Sequence, residues 1–166
     1  MSRIADFKNM LAEHRVGFRM NEVMSGWHEF EPELGGTRQP FEFDIIWGPR
    51  DLVAWANPVH PEFLVQPLSG TVTAGGLCHQ TPCEGSLEFR YFKDRSVRYT
   101  FDFEVADVRY QYQGSKLDLL PWNLHITHTT AFGTIKEVDS GRLVSRSVVH
   151  FKLHRAPSFL FSLRLA

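Results

Sequence analysis

Strict two-residue alternation runs through residues 97–116, interrupted only at Ala106-Asp107, and it gathers aromatic side chains on one face of a hairpin. Successive side chains of a strand point to opposite faces, so Val97, Tyr99, Phe101, Phe103 and Val105 share a face that Arg98, Thr100, Asp102 and Glu104 avoid. After the break the split repeats, with Val108, Tyr110 and Tyr112 set against Arg109, Gln111 and Gln113. A sheet with one such face has to close on itself or pack on another layer, because a row of aromatics does not stay in water.

The rest of the chain supplies strands for that closure. Phe41, Phe43, Ile45 and Trp47 alternate with Glu42 and Asp44 and end at Gly48-Pro49. Phe63 to Gly75 reads as a strand with bends at Pro67 and Gly70, Gly85 to Phe92 as another, and Ile126–Val138 and Leu143–Leu153 as the last two, joined by the turn Asp139-Ser140-Gly141. Helical signals are short. Ile4, Phe7, Met10 and Leu11 place an amphipathic helix over residues 3–14, and Arg50–Asn57, starting after a proline and stopping before Pro58, fits two turns that plug one barrel end. Residues 16–39 keep no period, so 1–39 is expected to be a helix and an irregular arm, and 40–166 the barrel domain. The end, 157–166, fits both a strand and a helix begun by Pro157, with the helix favoured.

Seven or eight sequential strands with short turns predict an all-β fold with short helices: an antiparallel, lipocalin-like, up-and-down β-barrel of about eight strands. A two-sheet sandwich competes, and the regular meander favours the barrel. At 166 residues one domain suffices.

Composition narrows function. Lys plus Arg total 18 against 19 for Asp plus Glu, which leaves no excess positive charge to track a phosphate backbone, so no nucleic-acid partner is expected. Met1–Leu11 carries Arg3, Asp6 and Lys8 in place of a signal peptide's apolar run, and nothing approaches the ~20 apolar residues of a membrane span, so a cytoplasmic location is expected. Cys78 and Cys83 are read as the two ends of a loop, either bridged or reduced; with His79 they offer three metal donors and no second pair, so no metal is expected. No Gly-rich phosphate loop, nucleophile elbow or His-Glu-x-x-His motif occurs, and no cofactor is expected.

Polar residues on the inward face are the candidates for chemistry. Continuing Val108, Tyr110 and Tyr112 past Gly114 puts Lys116 on the same face, where it either snorkels to the rim or holds a ligand's carboxylate or carbonyl beside a phenol from Tyr110 or Tyr112. In Ile126–Thr134 the alternation groups His128, Thr130 and Phe132 with Ile126; inward, His128 is either a satisfied core histidine or a general acid or base, with His125 a less specific neighbour. Ser145 and Ser147 align with Leu143 and Val149 and leave room inside. Asp44 and Arg146 form an internal pair only if the opposite faces point in.

Phe89 to Lys116 (Phe-Arg-Tyr-Phe-Lys-Asp, then Val-Arg-Tyr-Thr-Phe-Asp-Phe, then Gln-Gly-Ser-Lys), followed by Leu120-Pro-Trp and His-Thr-Thr, resembles the β-rich accessory region of large bacterial GMC-type, cholesterol-oxidase-like oxidoreductases. The likeness covers about residues 40–160 and rests on short motifs. It implies a barrel, apolar substrates of steroid or lipid type, and an oxidoreductase as a possible partner. It singles out Lys116, Trp122, Thr129 and Thr130 without giving them a role, and the missing flavin fingerprint keeps the oxidoreductase activity from carrying over.

The leading expectation is a barrel that binds a hydrophobic small molecule, lipid, steroid, polyketide or terpenoid in type, lined by Tyr99, Phe101, Phe103, Tyr110, Trp122, Thr130, Phe132, Ser145 and Ser147. The alternative is a cofactor-independent isomerase, cyclase or lyase on such a substrate, using His128, Lys116 and Tyr112. A third is a non-catalytic accessory module, filled with side chains, that docks on an oxidoreductase.

Overall fold

The computed structural model describes residues 3–13, 16–117, 130–151 and 164–165, and of Arg3, Arg164 and Leu165 the backbone alone. Its order is α1 (Arg3–Ala12), β1 (Phe18–Phe30), a 3-10 turn (Pro32–Leu34), β2 (Arg38–Trp47), α2 (Leu52–Trp55), β3 (Val65–Ala74), β4 (Cys78–Arg90), β5 (Ser96–Val105), β6 (Val108–Lys116), β7 (Thr130–Glu137), β8 (Leu143–Phe151) and β9 (Arg164–Leu165). Each of β1 to β7 pairs antiparallel with the next, and β8 pairs with β1 at the seam, with Trp27 opposite Val148. The result is a closed eight-stranded up-and-down barrel, with β9 added to the start of β1. Closure removes the free edges that a flat sheet of this composition would expose.

The connections sort the barrel into two ends. At the hairpin end the turns after β1, β3, β5 and β7 are short. The β5–β6 link is Ala106-Asp107, with φ of 49° and 64°, the positive pair that a two-residue type I′ turn requires. The other end carries α2, in the link from β2 to β3. Asp51 caps α2 by accepting from the Val53 and Ala54 amides, and Trp55 then packs edge-on against Phe18 and Phe89.

Between the ends lies an aromatic waist. Phe41, Phe43, Phe101 and Tyr112 are fully buried, and their rings meet at 4.9–5.5 Å between centroids for Phe101–Tyr112, Phe41–Tyr112, Phe43–Phe101 and Phe43–Tyr112. An eight-stranded barrel is just wide enough for its own side chains, and here rings fill that width. The wall facing Tyr112 is built small. A Cβ on Gly114 would fall 2.2 Å from the Tyr112 hydroxyl oxygen, and one on Gly133 would fall 2.5 Å from the same ring, so both positions are glycine because the phenol lies across them.

Several expectations change. Phe18–Phe30, inside the supposed irregular arm, is a thirteen-residue strand that closes the barrel. Cys78 to Cys83 is the start of β4, with both thiols free. The helix read over Arg50–Asn57 is the single turn Leu52–Trp55. In β7 the faces are reversed: Ala131 and Ile135 are buried, while Phe132 is 56% exposed and Thr130 bonds exposed His150 at 2.9 Å. Small inward residues there make the room that Tyr112 occupies. Of 157–166, only Arg164–Leu165 is described, and it is strand where a helix was favoured.

Candidate functional site

Two polar clusters lie inside the barrel, one on each side of the aromatic waist. At the α2 end Glu22 of β1 is 4% exposed, and its carboxylate takes three donors. Lys116 Nζ, from the end of β6, donates to Oε1 at 2.7 Å; the Tyr99 hydroxyl donates to the same oxygen at 2.9 Å; Trp47 Nε1 donates to Oε2 at 3.0 Å. A buried carboxylate is tolerable only when engaged in this way. Lys116 is 6% exposed, and its ammonium sits 5.2 Å from the centre of the Tyr99 ring, within cation–π range.

Donors are left over at this end. An ammonium has three N–H groups, and among the described residues Lys116 donates to Glu22 alone. Fully buried Gln66 accepts from Trp55 Nε1 at 2.6 Å through Oε1, while its Nε2 has no partner among the described residues. Phe18 and Phe89 pack edge-on against Trp47 and Trp55, the indoles that donate to Glu22 and Gln66. The arrangement is a set of hydrogen-bond donors in an apolar setting, which suits an acceptor oxygen carried by an apolar body.

The second cluster lies at the hairpin end. His28 is fully buried, with Nε2 2.9 Å from the Gly75 carbonyl and Nδ1 3.0 Å from Ser145 Oγ. A carbonyl only accepts, so Nε2 carries the proton and Nδ1 accepts from the serine. Burial lowers the pKa of His28, partly offset by the Gly75 bond, and favours the neutral ring.

Burial also raises the pKa of both interior phenols, and for Tyr99 the negative charge of Glu22 adds to the effect, so each is kept as a protonated donor. Among the described residues the buried hydroxyls of Tyr112 and Ser147 make no well-formed hydrogen bond, although Ser147 lies close enough to offset part of the effect on the phenol. Burial pushes the Cys83 thiol up to about 12 and raises that of Cys78, which disfavours the reactive thiolate at both.

The sequence candidates distribute as follows. Lys116, Tyr99 and Tyr112 point inward, with Lys116 and Tyr99 together at the α2 end. Phe101 belongs to the waist, and Phe103 stacks on Tyr110 at 5.6 Å toward the hairpin end. Ser145 and Ser147 are buried, Ser145 with His28. Thr130 and Phe132 face outward, away from the interior assigned to them. Asp44 and Arg146 are on the exterior, bonded to Asn21 and Glu31, and not to each other. His128, His125, Thr129 and Trp122 lie outside the described residues.

Glu22 and His28, the centres of the two clusters, were missed. Phe18, Met20, Met24 and Phe30 do alternate, but polar Glu22, small Gly26 and polar His28 occupy the inward positions between them and interrupt the apolar signal. Among the described residues no group of three or more His, Cys, Asp or Glu side chains is placed to hold a metal ion, and no helix is long and apolar enough to cross a membrane. Compared with protein-family models, curated proteins and solved structures, the chain matches none.

Proposed function

We propose that the protein binds an apolar small molecule at the α2 end of its barrel, through a neutral acceptor oxygen presented to Lys116. The observation that supports this reading is an ammonium almost removed from water with one of its three N–H groups engaged among the described residues. Unused donors out of water cost free energy, and a ligand oxygen recovers it. The unpaired amide nitrogen of Gln66 at the same end favours the same kind of group. Because Glu22 already balances the charge of Lys116, a ketone, ester or hydroxyl fits better than a carboxylate, which would leave a net buried negative charge. The filled waist confines the ligand to this end.

A cofactor-independent isomerase is the second reading, favoured by a carboxylate oxygen in contact with both an ammonium and a phenol. Lys116 and Tyr99 would stabilise an enolate while Glu22 moved the proton. It ranks second because all of Glu22's partners must first be loosened. A side-chain-filled accessory module draws support from the waist alone.

Native mass spectrometry of the freshly purified protein tests the choice. A copurified neutral apolar ligand is expected, lost in Lys116→Met and also in the charge-neutral pair Glu22→Gln/Lys116→Met, which guards against a folding defect. A folded protein that carries no such ligand and takes up no ketosteroid or terpenoid ketone would overturn the reading and favour the accessory module. Proton exchange into a bound ketone that is lost on Glu22→Gln would favour the isomerase.

A further inference from the structure

A groove of about 610 Å³ crosses the outer face of β1 to β4 near the α2 end. Its position follows from register: Ile46 lies opposite Ser69, and Ser69 opposite Glu84, so the three form one row across the strands. Ile46 is 50% exposed between buried Ile45 and Trp47, which places that row outside the barrel. Pro67 continues the floor, and the Gly48-Pro49-Arg50 segment forms a side.

The β1 side of the groove carries two positive charges. Arg19 and Arg50 both line the groove, and the Phe18 amide donates to the Pro49 carbonyl at 3.2 Å, which ties their two segments together. Neither arginine makes an ion pair among the described residues. Of the acids on the adjoining segments, Asp44 of β2 accepts from Asn21 at 2.7 Å, and Asp51, next to Arg50, caps α2. Glu84 lines the groove from β4, three strands away from Arg19.

We propose that this groove is a second binding site, separate from the barrel interior, which takes a small amphiphilic anion. The oxyanion head, a carboxylate or a phosphate monoester, is held by Arg19 and Arg50, whose planar forks match its oxygens. The apolar body lies along Ile46 and Pro67. A bare anion would gain nothing from that floor, and a neutral chain would leave the arginines unpaired.

Isothermal titration calorimetry on the full chain with octyl phosphate, octanoate, octanol and inorganic phosphate tests this. Binding of octyl phosphate or octanoate is expected, and which is tighter tells phosphate from carboxylate. Inorganic phosphate should bind at least about tenfold more weakly, and any octanol binding, which the barrel interior also accommodates, should be unchanged by either groove substitution. Arg19→Gln and Arg50→Gln should each weaken binding about tenfold, the loss of a charge-assisted hydrogen bond, and weaken its salt dependence. Arg109→Gln, at the hairpin end, should change nothing. Octyl phosphate or octanoate binding that survives both groove substitutions, octanol binding that those substitutions weaken as much, or inorganic phosphate as tight as octyl phosphate would each overturn the site.

Discussion

The ammonium of Lys116 meets the carboxylate of Glu22 at 2.7 Å, although 94 positions of sequence separate them and each lies on a strand that never pairs with the other. The contact exists only because the barrel closes. β1 and β6 face each other across the interior, so this ion pair reports on closure as well as on the site.

Removing one member should therefore be costly. Glu22→Gln or Lys116→Met leaves a buried charge without its counter-charge and is expected to lower stability by about 3–5 kcal/mol. Replacing both together should cost much less than the sum of the single changes, because the desolvation of both charges is relieved. Urea denaturation of the four proteins gives the coupling directly, and additive losses would show that the pair does not act as a unit.

How much of this was readable beforehand depended on what occupied the inward positions. Where both faces had contrasting chemistry, as in Tyr99, Phe101 and Phe103 against Arg98, Asp102 and Glu104, alternation revealed strand, face and turn together. β1 hid itself because Glu22 and His28 are polar residues facing inward, and their partners, Lys116 and Ser145, lie far along the chain. β7 misled because its inward residues are Ala131, Gly133 and Ile135, and the largest apolar side chain, Phe132, faces outward. Small residues carry no polarity signal, and the reason for them, the Tyr112 ring, comes from the neighbouring strand. Lys116 was legible by parity alone; its counter-ion was not.

The glycine pair facing Tyr112 gives a packing test. Gly114→Ala places a methyl 2.2 Å from the phenolic oxygen and 2.6 Å from the ring carbon that bears it, so the ring must move inside a filled waist. A loss of about 1–3 kcal/mol is expected in urea denaturation. Tyr112→Leu should also destabilise, but Tyr112→Leu/Gly114→Ala should recover part of the loss, because the shorter side chain no longer lies over the added methyl.

His28 predicts a pH dependence. In the unfolded chain a histidine takes up a proton near pH 6.5, whereas burial keeps the native ring neutral to lower pH. Between those two values the unfolded state binds more protons, so stability falls as pH falls, by at most about 1.4 kcal/mol per pH unit for one group; above the unfolded value the contribution is complete. His28→Gln should be less stable than the parent at neutral pH and show a shallower loss on acidification. Urea midpoints measured from about pH 5 to 8 check the difference between the two slopes, which separates His28 from the other histidines.

The β5–β6 turn should accept stabilisation. Ala106 and Asp107 both hold positive φ, a region where a Cβ is crowded and alanine has no side-chain group to compensate. Asn-Gly satisfies the same type I′ geometry with little strain, since asparagine tolerates left-handed backbone and glycine has no Cβ. Ala106→Asn/Asp107→Gly is therefore expected to raise stability by about 0.5–2 kcal/mol without altering the Val105–Val108 register. The extra chain entropy of glycine in the unfolded state works against the gain, so Ala106→Asn alone isolates the relief of strain. Thermal melts of the two variants decide the matter: if neither melts above the parent, the turn does not carry the strain that its φ angles imply.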